Sequence, residues 1–145
     1  MKTSIQTAVI TYLLLAASYA LAAQVLPNDD KTKIRVVNAI IGEAEGEPYR
    51  GKLAVACAIR NRGSLQGVYG EKSRRVKERL YSSRVFVDAV RAYEESADPE
   101  ACRFIGGADH WEGTAFKTPA WAKDMQVTVT IGRQRFYKTK QRGRE

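Results

Sequence analysis

The strongest constraint on the fold is a pair of helical patterns set around one glycine-bearing turn. In KTKIRVVNAIIGEA, residues 31–44, Val36, Ile40 and Glu43 recur at i, i+4 and i+7, and Ile34, Val37 and Ile41 widen that face. Asp30 is placed to cap this helix, and Gly42 and Gly46 supply the backbone freedom to end it and turn the chain. Glu47-Pro48 opens a second helix with proline in its first turn, which runs through YRGKLAVACAIRNR to a stop at Gly63. Its small residues, Ala54, Ala56, Cys57 and Ala58, let it approach a neighbour closely.

The chain beyond is less regular. GSLQGVYGEKSRRVKERLYSS, residues 63–83, reads as a loop with one irregular helical turn. From Ser83, RVFVDAVRAYEES has helical spacing, with Phe86, Val90 and Tyr93 or Val87, Val90 and Glu94 along a side, and ends before Asp98-Pro99. RFIGGADHWEGTAFKTPAWAKDM is a long aromatic loop with short extended pieces. QVTVTIGRQRFYK alternates around Gly132 as a two-stranded hairpin does, with Val127, Val129 and Ile131 on one face. Residues 139–145 read as a basic tail.

At 145 residues the chain fits a single domain. Its 24 Lys and Arg against 16 Asp and Glu give a net charge of +8, which favours an anionic partner. Lys2 followed by AVITYLLLAASYALAA, with a small-x-small ending at Ala20-Leu21-Ala22, reads as a secretory signal over residues 1–22. That apolar stretch is shorter than the ~20 residues of a typical membrane span, which favours cleavage over an uncleaved signal-anchor tether. Residues 23–30 then form a polar linker. A basic chain exported to the periplasm or beyond meets an anionic envelope polymer, not nucleic acid, and no specific protein partner is expected.

Cys57 and Cys102 are the two cysteines. An oxidising compartment permits them to pair, while Cys57, among small apolar residues, equally reads as a buried apolar side chain. With one histidine, His110, an ordinary His/Cys zinc site is hard to assemble, so no metal and no other cofactor is expected.

Glu43, Glu45 and Glu47 cluster at the turn between the two helices. Glycosidic cleavage needs a carboxylic acid that keeps its proton near neutral pH. Glu43 meets that need on paper: it continues an apolar stripe, and it stands at a helix C-terminus, where the dipole disfavours negative charge. The alternative is three solvated helix-end glutamates that balance a basic surface.

IIGEAEGEPYRGKLAVACAIRNR, residues 40–62, resembles the opening motif of the SleB-like cell-wall hydrolases, the spore-cortex-lytic type. GGADHWE, PAWA and IGRQRFYK stand in the order and spacing of that family's later segments, so the resemblance spans roughly residues 33–138. It implies an α+β fold, a mainly helical lysozyme-like core with a small C-terminal hairpin or sheet, forming a peptidoglycan-cleaving catalytic domain over residues 31–138. It also implies that Glu43 is the general acid/base acting on glycan strands at the MurNAc-GlcNAc bond. The chain departs from the family at Glu45, where arginine is frequent, and near Gln134 and Arg135, where histidine is.

A lytic transglycosylase can work with one carboxylate, whereas a muramidase hydrolase needs a second, for which Glu47 is the candidate. Tyr49, His110, Trp111, Trp121 and Tyr137 are candidate sugar-binding residues, and each is also a plausible core or loop residue. Asn61 either contacts substrate or holds the loop behind Glu43. The run KSRRVKER, residues 72–79, is a solvated face or a contact for an anionic polymer or lipid headgroups. Two other classes remain: a cysteine peptidase or amidase using Cys57 and His110, and a non-catalytic basic module that binds cell wall.

Overall fold

The computed structural model describes residues 26–140. The expected signal segment 1–22, residues 23–25 of the linker and residues 141–145 of the tail lie outside the described residues. Four α-helices and a small antiparallel sheet make up a mainly helical α+β fold.

Helix α1 spans Asp30–Ala44. Its N-cap is Asp29, not Asp30: Asp29 Oδ1 accepts from Thr32 N at 2.8 Å, and Asp30 occupies the first turn. Leu26, within the expected linker, is buried in the core. Val36, Val37, Ile40 and Ile41 are buried as their spacing predicts, but Ile34, nearer the start of the helix, is exposed. Gly42 does not end α1. It sits within the last turn, where its missing side chain serves packing.

Helix α2, Tyr49–Arg62, follows with Pro48 as N-cap and Gly63 as C-cap at φ 70°. Every residue from Ala54 to Ile59 is fully buried. A helix covered on all sides is the centre of the core, and its alanines let neighbours pack closely against it. At its first turn the buried Lys52 donates from Nζ to Glu47 O at 2.6 Å, so the burial of an ammonium is offset by closing the preceding turn.

The basic loop holds a 3₁₀ turn at Gly70–Lys72 and the one-turn helix α3, Arg74–Lys77. Helix α4, Ser83–Glu95, packs on α1 and α2. It buries Ala89, Ala92 and Tyr93 and packs Val90 against the core, so the first predicted stripe holds at Val90 and Tyr93 but not at Phe86, which is exposed, as is Val87 of the second. Small alanines under α4, not its largest apolar residues, permit the close approach. Arg60 joins α2 to the end of α4, donating to Ser96 Oγ at 2.7 Å and Tyr93 O at 2.9 Å.

The sheet has three strands, not two. Strands β1 (His110–Gly113), β2 (Met125–Ile131) and β3 (Gln134–Thr139) are arranged in the order β1-β3-β2. The aromatic loop supplies β1, which pairs Trp111 with Phe136. A bulge between Val127 and Val129 rotates the start of β2, leaving Val127 exposed while Val129 and Ile131 pack on the core. Thr139, assigned to the tail by its sequence context, completes β3 and donates from Oγ1 to Asp109 Oδ2 at 2.9 Å.

Cys57 and Cys102 are joined in a disulfide with Cα atoms 5.5 Å apart, tying the central helix to the turn before the 3₁₀ segment Arg103–Ile105. A bonded sulfur has no thiolate to offer, so the cysteine-peptidase reading fails on chemistry. The bond spans 45 residues, for which the chain-entropy argument gives about 4 kcal/mol. A Cys57→Ala/Cys102→Ala variant is expected to lose about 2–4 kcal/mol in urea unfolding; an unchanged midpoint would show that the link does not constrain the unfolded chain.

Candidate active site

Glu43 stands half-buried in the last turn of α1, with each carboxylate oxygen held by a different donor. Gly70 N donates to Oε1 at 2.7 Å, and the Trp111 indole Nε1 to Oε2 at 3.3 Å. The first bond follows from backbone meeting backbone. A Cβ on Gly42 would stand 2.0 Å from Gly70 O, and one on Gly70 would stand 2.6 Å from Ala39 O and 2.7 Å from Glu43 Cγ. Two glycines are needed for the 3₁₀ turn to touch α1 at this point.

The second bond depends on how Trp111 is held. Arg62, the last residue of α2, lays its guanidinium over the Trp111 ring at 5.2 Å. It is fixed in turn by donating from Nε to Asp109 O at 2.8 Å and from Nη1 to Gln66 O at 3.0 Å. Burial pulls the Arg62 pKa down, while Asp109 and Glu43 oppose that shift. Arginine nonetheless stays protonated, so a fixed cation lies within electrostatic reach of Glu43.

These residues wall a cleft of about 650 Å³. Trp121, from the 3₁₀ turn Ala120–Asp124, and the exposed Tyr69 face it as well. The Trp121 ring lies 5.4 Å from that of His110 and 5.4 Å from that of Tyr137. His110 Nδ1 is 2.9 Å from Asp109 Oδ1. Burial alone would raise the Asp109 carboxyl, but hydrogen bonds from His110 and Thr139 outweigh it and hold the group below the usual carboxylate range.

The sequence-derived set therefore divides. Glu43, His110, Trp111 and Trp121 meet at the cleft. Tyr137 is not in its lining: the ring is buried behind Trp121, the hydroxyl donates to Glu112, and burial followed by that partner raises its pKa. Tyr49 also lies off the cleft. Its hydroxyl donates to Glu95 at 2.6 Å beneath the Arg91 guanidinium, and burial first, then Glu95, pushes the phenol up. Asn61 is a brace, donating from Nδ2 to Ala108 O at 2.8 Å and so fixing the loop that leads into β1.

Glu47 lies outside the tryptophan-lined cleft but lines, with Glu43 and Glu45, an adjoining depression of about 500 Å³, where its carboxylate is committed to Arg133. Its Oε2 accepts from Arg133 N at 3.0 Å and its Oε1 from Arg133 Nε at 3.3 Å. It grips the hairpin turn so closely that a Cβ on Gly132 would stand 1.8 Å from Oε2. Glu45 pairs with Arg75 of the basic run. Arg62, Gln66 and Tyr69 are cleft residues that the sequence reading did not single out. Arg62 closes the IRNR segment and Tyr69 precedes Gly70, but only the folded contact at Gly42 shows why those positions face Glu43.

Because Gly70 has no room for a side chain, Gly70→Ala is expected to destabilise the protein by about 1–3 kcal/mol and to separate Gly70 N from Glu43. Urea unfolding measures the first effect, and the loss of the Gly70 amide's protection from hydrogen exchange measures the second; full protection at position 70 would refute the packing argument.

No family model matches the sequence, and no curated protein matches it. Among solved structures, the chain is similar to the catalytic domain of the germination-specific lytic transglycosylase SleB from Bacillus anthracis. The TM-score is 0.56 at 26% identity, covering 78% of this chain and 100% of that one. It is also similar to the catalytic domain of the Bacillus cereus SleB protein, with a TM-score of 0.51 at 25% identity, covering 78% of this chain and 95% of that one. In fold, the chain is similar to these SleB catalytic domains.

Proposed function

We propose that the protein is an exported enzyme that cleaves peptidoglycan glycan strands at the MurNAc-GlcNAc bond as a lytic transglycosylase, with Glu43 as general acid and then base. The observation that carries this reading is that, among the described residues, Glu43 is the one carboxylate in the tryptophan-lined cleft, while Glu45 and Glu47, which share with Glu43 an adjoining depression of about 500 Å³, are each paired with an arginine, Arg75 and Arg133. The similarity to SleB catalytic domains, one of them described as a lytic transglycosylase, supports the same chemistry.

In this mechanism Glu43 gives its proton to the glycosidic oxygen as the bond to the muramoyl C1 breaks. Positive charge develops on that sugar ring, and the C6 hydroxyl of the same residue attacks C1. The Glu43 carboxylate takes the hydroxyl proton as the anhydro ring closes, which restores the acid. One carboxylate thus serves both halves, and no water is consumed. Gly70 N holds Oε1, so Oε2, on the longer contact from Trp111, is the oxygen assigned to proton transfer. Trp111, Trp121 and Tyr69 offer apolar ring surface for sugar faces. Arg62 keeps a fixed cation within electrostatic reach of Glu43 through both transfers.

A hydrolase would need a second group to hold water or attack carbon. Glu47 is bound twice by Arg133, which argues for a supporting role instead. Digestion of purified sacculi followed by mass spectrometry is expected to show anhydromuramoyl ends. Glu43→Gln is expected to lower the rate by at least about 100-fold without a change in stability, whereas Glu47→Gln is expected to lower stability first. Reducing muramic ends would instead establish a hydrolase, and unaltered digestion by Glu43→Gln would remove the assignment. Binding to sacculi without release of soluble fragments would leave a non-catalytic wall-binding module.

A further inference from the structure

Helices α1 and α4 leave an apolar surface that the cleft does not use. Two adjoining depressions of about 780 and 350 Å³ share Ile34, Asn38 and Phe86. Ile34 is 60% exposed, Phe86 45% and Val87 61%, so three large apolar side chains stand in water on one face. Leu80 is exposed beside them in the chain, between Arg79 and Tyr81 of the same lining. An exposed cluster of this kind marks a contact surface more often than scattered apolar residues do.

The rim is cationic. Arg35 is paired with Glu71, Lys33 with Glu94, and Arg74 with Glu78. Lys77 and Arg79 in the lining, and the neighbouring Arg84, make no ion pair among the described residues; Asp30 is the one unpaired acid there. Arg79 also has φ 53°, the only non-glycine among the described residues with positive φ. A left-handed backbone is unfavourable for an arginine, at a turn where glycine would fit freely. Backbone bonds from Arg79 N to Val76 O and from Leu80 N to Arg75 O hold this bend between α3 and α4 in place.

We infer that this face docks on an anionic phospholipid bilayer, with Ile34, Phe86 and Val87 at the acyl boundary and Lys77, Arg79 and Arg84 among the phosphates. Charge complementarity selects an anionic surface, and the apolar centre selects lipid over a hydrophilic wall polymer, which offers nothing for those side chains to enter. A second copy of the chain fits poorly, because a two-fold contact would bring the same cations together. Asp30, Lys33 and Ile34 from the first turns of α1 line the second depression. Among the described residues no helix is long and apolar enough to cross a membrane, so the contact is peripheral. It shares no lining residue with the Glu43 cleft and does not rest on the chemistry assigned there.

The test uses the full chain with Val87→Cys carrying an environment-sensitive fluorophore, and a second protein labelled at Phe116→Cys as a control. On vesicles containing phosphatidylglycerol the label at 87 is expected to shift to the blue while that at 116 does not. Removing two cations with Lys77→Gln/Arg79→Gln is expected to weaken the vesicle affinity read by that label roughly 30-fold and to leave sacculus digestion unchanged. Vesicle binding with the label at 87 still in water would mean that another segment makes the contact, and would overturn the assignment. So would equal shifts on neutral phosphatidylcholine, or a concentration-dependent shift without vesicles, which would identify a second copy as the occupant.

Discussion

The placement of Glu43 depends on one backbone contact, between the last turn of α1 and the 3₁₀ turn at Gly70. Helices ordinarily keep their neighbours at side-chain distance, but Gly42 and Gly70 remove both side chains, and the Gly70 carbonyl comes to where a Cβ on Gly42 would be. The Gly70 amide then lies 2.7 Å from Glu43 Oε1 without any long side chain between them. A carboxylate fixed by backbone keeps its orientation at little entropic cost, because the donor has no rotamers to lose. The same contact lays the segment from Gln66 to Tyr69 along the cleft, so the wall and the acid are positioned together.

The other end of the turn fixes the sheet. Glu47 holds Arg133 and leaves room only for glycine at position 132, while Gln134 Nε2 donates to Glu43 O at 2.8 Å. The hairpin is therefore registered directly against the segment that bears Glu43. Strand β3 carries that register to β1, and β1 presents Trp111 to Oε2. Three glutamates that look alike in sequence thus have separate tasks: one faces the cleft, one pairs with Arg75, and one pins the turn that aligns the sheet.

Much of this was legible where periodicity or a single residue's conformation decides the outcome. Both early helices, the stop at Gly63 and the hairpin around Gly132 follow from spacing and glycine position. The inner face of α4 was legible at Val90 and Tyr93 but not at its start, because Ala89 and Ala92 outrank Phe86 through closeness of approach, which hydrophobicity does not encode. Strand β1 was missed as a strand because four residues are too few for a period to register, and its formation depends on β3, 20 or more residues later in the chain. Gly42 was misread for a related reason: within a helix, a glycine that ends a turn and one that admits a neighbour have the same local signature. Among the site residues, composition pointed to tryptophans and tyrosines alike. Burial separated them, taking Tyr137 and Tyr49 into structural hydrogen bonds with Glu112 and Glu95.

Arg62 shows why a site of this kind can have one carboxylate and still be electrostatically complete. A lone acid that must alternate between protonated and charged forms needs both states accessible, so its surroundings have to be mixed in polarity. The Trp111 indole and the Gly70 amide each donate to one carboxylate oxygen of Glu43, and the Arg62 cation is stacked on that same indole. Arg62 cannot relax away when the charge changes, since its Nε and Nη1 are committed to Asp109 O and Gln66 O and its plane is stacked on Trp111. A second carboxylate in the same cleft would add like charge to that balance and disfavour the deprotonated state. The engagement of Glu47 with Arg133 therefore does two things at once: it aligns the hairpin, and it places a counter-ion on the glutamate at the far end of the turn from Glu43.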